Sequence, residues 1–226
     1  MFSICLPSKG RTERLIEMIN SALKQSSGKN VIEFCVYLDS RDSLDLKRII
    51  GTNYNIKIFK GPRLPTSSMT NFMYSQSSGE ILMYAADDIL FKTQDWDSIV
   101  AEILINPRTE PRVLMTNDLS ITKGKNATHA FVSRAFCEVL DYLLPPYFES
   151  EFCDTWITEI AQKSKTLVYR EDLIVEHMHH LWGKANVDET YIYRKSRYRH
   201  YELLLYYKIM RYMRKREILG LISKNL

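Results

Sequence analysis

Gly79-Glu80-Ile81-Leu82-Met83-Tyr84-Ala85-Ala86-Asp87-Asp88 is the stretch whose reading decides the fold. An unbroken apolar run from Ile81 to Ala86, left through two carboxylates, is the signature of a strand buried on both faces. Such strands belong to parallel sheets covered by helices, where ligands gather outside the carboxyl ends of the strands. Asp87 and Asp88 are therefore expected at a cleft. Adjacent carboxylates repel unless a proton or cation lies between them, and a hard divalent ion held by oxygens is the common solution. The competing reading is an acidic turn that caps a helix.

Upstream, strands alternate with helical segments. Phe2 to Leu6 reads as a strand, and Leu15, Ile16, Met18, Ile19, Ala22 and Leu23 fall at helical spacing behind Thr12 as N-cap. Glu33 to Leu38 and Asn55 to Phe59 read as strands, Ser43 to Ile50 and Ser67 to Gln76 as helices. This alternation implies parallel pairing through right-handed crossovers. Polar residues recur just after each strand: Ser8, Lys9 and Arg11, then Asp39, Arg41 and Asp42, then Arg63, then the Asp pair. Turn chemistry places such residues at strand ends anyway, but recurrence at successive ends points to a shared site. Arg63, with Ser67, Ser68 and Asn71 behind it, sits in a loop entering a helix N-terminus, which suits ribose or phosphate. Past Asp95 the pattern loosens. It gives helices at Trp96 to Leu104, Ala135 to Leu143 and Asp154 to Gln162, with strands at Val113 to Thr116, His129 to Ser133 and Leu173 to Val175.

The chain has neither GxGxxG nor GxxxxGK[ST], so a bound nucleotide needs a cation to neutralise its diphosphate. Ser3-Ile4-Cys5-Leu6-Pro7-Ser8-Lys9-Gly10-Arg11, the Leu38-Asp39-Ser40 strand end and the Gly79 to Asp88 stretch together resemble family 2 glycosyltransferases, over roughly residues 2 to 190. The resemblance implies an α/β fold of the GT-A (nucleotide-diphospho-sugar transferase-like) type, a mostly parallel sheet flanked by helices. It also implies a nucleotide-sugar donor, a Mn2+ or Mg2+ cofactor, and sugar transfer with inversion to a saccharide, lipid-linked or protein acceptor. By position, Pro7 and Arg11 flank the nucleotide, Asp39 contacts the base and Asp88 ligates the metal. Ala86 replaces the first Asp of a strict DxD, and Asp87 is grouped with Arg63 among the donor-binding residues.

Glu176-His177-Met178-His179-His180 places three of the chain's five histidines in four positions, and imidazole is a frequent ligand for manganese-like ions. The spacing does not suit a helical zinc pair. The resemblance favours His177 as the late metal or diphosphate ligand, while a structural role for His179 and His180 is equally open. Inverting transfer needs a carboxylate to take the acceptor proton. In Phe148-Glu149-Ser150-Glu151-Phe152-Cys153-Asp154-Thr155-Trp156 the resemblance favours Asp154, beside a Trp156 that would face a sugar, with Glu151 second.

Four dispersed cysteines among apolar neighbours read as buried thiols. No apolar run approaches the roughly 18 residues of a membrane span and no leader opens the chain, so a cytoplasmic protein is expected. The net charge of +4 is uneven, since Tyr191 to Leu226 holds ten Lys/Arg against Glu202 and Glu217, leaving residues 1 to 190 net acidic. A catalytic domain over 1–190 and a basic, tyrosine-rich helical extension over 191–226 follow. The extension reads as helices packing an aromatic face on the core, with a peripheral anionic-membrane contact or self-association as alternatives. Two rivals are a nucleic-acid-binding module built on that tail and a sugar nucleotidyltransferase. The acidic first 190 residues argue against the first, so no nucleic acid is expected, and the single glycine after the first strand argues against the second.

Overall fold

The structure, a computed structural model, describes residues 1–41, 54–120, 124–180, 183–184 and 199–224. Its first half is built from β1 (Phe2–Ser8), α1 (Thr12–Lys24), β2 (Ile32–Asp39), β3 (Ile56–Gly61), α2 (Thr66–Ser75) and β4 (Ile81–Tyr84). The second half comprises β5 (Ile89–Phe91), α3 (Trp96–Ile103), β6 (Val113–Asn117), β7 (Phe131–Ser133), α4 (Arg134–Leu140), α5 (Cys153–Lys163) and β8 (Leu167–His177). Two C-terminal helices follow, α6 (Arg199–Leu204) and α7 (Arg211–Lys224), joined by a π-helical turn at Leu205–Ile209. The expected helix at Ser43 to Ile50 lies outside the described residues.

The strands form one sheet in the order β3-β2-β1-β4-β7-β6-β8-β5. The first four are mutually parallel, as their helical crossovers require, whereas β7 runs antiparallel to both β4 and β6, and β5 runs antiparallel to β8. Buried strands explain the apolar runs. Phe2, Ile4 and Leu6 pack on one face with Leu15, Met18, Ile19, Ala22 and Trp96, while Cys5, Cys35 and Tyr37 face Met73 and Phe136 on the other. Period-two alternation thus feeds two cores from one strand. All four cysteines are free and buried.

Several local expectations change. The cap before α1 is Arg11 rather than Thr12, which is already helical, and the Arg11 side chain makes no cap hydrogen bond. α4 stops at Leu140 because Asp141 turns left-handed at φ 65°. β8 is much longer than Leu173 to Val175 alone, because it pairs with β6 along its first part and with β5 along its last. Its half-exposed first residues carry no apolar period, and three-residue β5 is too short to leave one.

Of the tail tyrosines expected to pack inward, Tyr206 is buried, whereas Tyr201, Tyr207 and Tyr212 are 61%, 66% and 75% exposed. Tyr193 and Tyr198 lie outside the described residues. The tail is anchored instead by Leu221 and by two buried carboxylates, Glu202 and Glu217. No helix among the described residues is long and apolar enough to cross a membrane.

Candidate functional site

A cleft of about 690 Å³ opens at the carboxyl ends of β1, β2 and β4. Pro7, Arg11, Asp39, Arg63, Asp87, Asp88, Glu151, Asp154 and His177 all line it. Parallel pairing explains the sheet-side wall: Cys5 stands in register with Cys35 and with Tyr84, so the three strands end at one edge. Gly61 shapes the neighbouring loop, since a Cβ there would lie 2.1 Å from the Tyr37 hydroxyl oxygen. That hydroxyl donates to the Pro62 carbonyl at 3.0 Å and so closes the Arg63 loop onto β2.

The two aspartates have different surroundings. Asp87 accepts from the Ser8 hydroxyl at 2.7 Å and from Arg11 at 2.8 Å, which ties the β1 loop to the end of β4. Burial pushes its carboxyl up to about 6; Arg11 and the Ser8 hydroxyl pull against this, and the Asp88 charge adds to the rise. Asp88 is 3.7 Å from Arg11 through one oxygen and 3.5 Å from His177 Nε2 through the other. Two backbone bonds bring the histidine there: His177 N–H donates to the Asp118 carbonyl at 3.0 Å, and Met178 N–H to the Asp88 carbonyl at 2.7 Å.

His129 is the residue sequence reasoning missed. It precedes β7, and its ring meets that of His177 edge-on at 4.7 Å between centroids. One donor atom each from Asp88, His129 and His177 lie within 4.8 Å of one another. A carboxylate oxygen with two imidazole nitrogens fits a first-row divalent ion such as manganese better than magnesium, which favours all-oxygen shells. An antiparallel strand brings its beginning to the edge where parallel strands bring their ends, so a search of strand ends passes over His129. Asp118, directly after β6, obeys that rule and was also missed; it lines the cleft.

Asp39 is buried, and its carboxylate accepts from the backbone N–H, Nε and an Nη of Arg41. Those hydrogen bonds hold it below the usual carboxylate range against the opposing effect of burial. Ser67 and Asn71 do not meet the cleft. The Ser67 hydroxyl donates to Phe148 O, and Asn71 bonds the backbone of Leu143 and Leu144. Trp156 faces no sugar either: it is fully buried among Tyr147, Phe148 and Tyr206 and donates to Glu217 at 2.8 Å. Asp154 is the second residue of α5, half-buried on the cleft, its carboxylate accepting from Thr155 N–H at 2.7 Å. His179 lines the cleft next to His177, and its ring meets that of His180 in a tilted contact at 4.3 Å between centroids. Lys184 pairs with Glu176 at 2.7 Å.

This arrangement of parallel half, mixed half and strand-end cleft defines the GT-A glycosyltransferase-like fold. Solved structures share it. Mannosyltransferase PcManGT from Pyrobaculum calidifontis, in complex with GDP-Man and Mn2+, matches with a TM-score of 0.63 at 13% identity over 99% of this chain and 73% of that one. GalNAc-T7 with UDP, GalNAc and Mn2+ matches at 0.64 and 14% over 79% and 44%. S. aureus TarS 1-349 in complex with UDP matches at 0.58 and 14% over 77% of this chain, which spans 59% of that structure. No protein-family model matches the chain, and no curated protein matches its sequence.

Proposed function

We propose that the chain is a manganese-dependent, inverting glycosyltransferase of family 2 type that uses a nucleotide-sugar donor, with residues 1–190 as its catalytic unit. The observation that carries the proposal is the Asp88, His129 and His177 cluster in the strand-end cleft of a GT-A fold. Solved proteins of this fold bind GDP-Man or UDP-GlcNAc, and two of them carry Mn2+. In this reading Asp88, His129 and His177 hold the ion, which when bound supplies positive charge against the donor diphosphate. Arg11, fixed by Asp87, adds a second positive group beside Pro7, and Asp39 meets the base after exchanging its Arg41 contact. Across the cleft Asp154, with Glu151 as reserve, takes the proton from the acceptor hydroxyl as that oxygen attacks the anomeric carbon.

Thermal shift and calorimetry with UDP and GDP, with and without manganese, test this directly. One diphosphate should stabilise the wild type only with the ion present, by mass action on the folded state. Asp88→Asn and His129→Ala should each weaken that binding about tenfold or more, and His180→Ala, at the far end of the run of histidine ring contacts, should not. Equal binding of diphosphate without metal, or equal loss in all three variants, would sink the proposal.

A further inference from the structure

The C-terminal segment sends one carboxylate into the interior beside the cleft. Glu202, on α6, is fully buried, and it accepts from three consecutive backbone N–H groups: Glu149, Ser150 at 3.1 Å and Glu151 at 2.8 Å. Successive N–H groups converging on one anion form a backbone nest. The opposite side of this loop faces the cleft, which Glu149, Ser150, Glu151, Phe152 and Asp154 line.

Plain packing does not account for a glutamate here. Burying a carboxylate costs several kcal/mol before its partners compensate, and an apolar residue of similar size would join two elements at lower cost. The same segment leaves Tyr201 and Tyr207 exposed while it buries Glu202. A carboxylate does what a leucine cannot, fixing the orientation of three peptide groups at once.

The loop needs such a hold. Phe152, which closes it, has φ 61°, a left-handed conformation that a bulky residue adopts only when its surroundings impose it. Tyr206 of the π-helical turn stacks on Phe152 at 5.2 Å between ring centroids, with 26° between ring planes. Tyr206 is held in turn by Glu159, which accepts its hydroxyl at 2.5 Å, and by the Arg214 guanidinium, 4.3 Å above its ring. On its far side the loop meets the start of α2, where Ser67 N–H donates to Glu149 O at 3.3 Å.

We propose that Glu202 is a positioning residue: from the C-terminal segment, it fixes the peptide groups of residues 149–151 and so sets where Glu151 and Asp154 stand in the cleft. The consequence for acceptor activation rests on the transferase reading above, whereas the placement of the loop does not.

Hydrogen exchange and carbodiimide footprinting on the full-length chain test the proposal. In Glu202→Ala the amides of 149–151 should exchange about tenfold faster or more, while those of β1 and β4 keep their rates. Carbodiimide labelling of Glu151 and Asp154 should change, and that of Asp88 should not. Glu202→Gln keeps one acceptor oxygen and should fall between wild type and Ala, which also covers the case in which the alanine variant fails to fold. Unchanged exchange at 149–151, or acceleration spread evenly over the sheet, overturns the proposal. Local acceleration in a protein that binds neither UDP nor GDP with manganese leaves Glu202 in its role and removes the transferase reading instead.

Discussion

On the sheet-side wall of the cleft Pro7, Asp39 and Asp87 take their positions from the backbone ladder that aligns β1, β2 and β4. On the loop-side wall Glu149 to Phe152 have no ladder and are met by Glu202 and Tyr206 of the C-terminal segment, while Asp154 stands on α5. Away from the cleft lining, buried carboxylates of the sheet half and of the tail shift in opposite directions. Burial pushes Asp97 and Glu33 up, but hydrogen bonds outweigh it and hold both low: to Asp97 from Ser27 and Asn30, to Glu33 from Ser3, Ser78 and Lys57. Glu202 and Glu217 are pushed up by burial despite their hydrogen bonds. Asp87 on the sheet-side wall is raised by burial too, so the direction is set at each site by the balance of burial against hydrogen bonds and charge.

The largest effect should come from breaking the chemistry of the loop-side wall and leaving the other intact. Asp154→Asn is nearly isosteric, so donor and metal binding should survive while turnover falls about 10²- to 10⁴-fold. Single-turnover kinetics beside calorimetry separate the two. Joint loss of binding and turnover would place Asp154 in the framework of the cleft, and full turnover would pass the proton to Glu151.

A smaller effect should follow from removing the second tail anchor. Glu217 accepts from Tyr142 and Tyr147 hydroxyls at 2.8 and 2.6 Å and from the Trp156 indole at 2.8 Å. Glu217→Leu leaves those buried donors without their acceptor and should lower unfolding free energy by about 3 kcal/mol, read by urea titration. No loss of stability would show that the tail docks through Leu221, Tyr206 and Glu202 without help from Glu217.

The smallest effect, and the sharpest test of the comparison, is in pH. Asp97 is held below its unfolded value, so its contribution is present above about pH 4 and fades as pH falls through the folded value. Glu217 is raised, so its contribution is present below about pH 4 and fades as pH rises through the folded value. The stability margin of wild type over Asp97→Asn should widen on going from pH 3 to 7, and that over Glu217→Gln should narrow, read by urea titration at each pH. Parallel slopes for the two variants would erase the contrast.

The sequence by itself determined the parallel half and the location of the cleft. A buried strand writes its burial into a run such as Ile81 to Ala86, and chain direction then puts Ser8, Asp39 and Asp87 at one edge. Both signals are local, so no knowledge of distant contacts is needed to read them. Tertiary structure decided the rest. His129 joins Asp88 and His177 because β7 pairs antiparallel with β4, and His177 reaches them because the end of β8 pairs with β5. Trp156 is buried because Tyr206 and Glu217 dock over it from the tail. Glu202 finds its three N–H groups more than 50 residues upstream. None of these contacts leaves a period or spacing in the chain, because each is made between segments whose own patterns are satisfied before they meet.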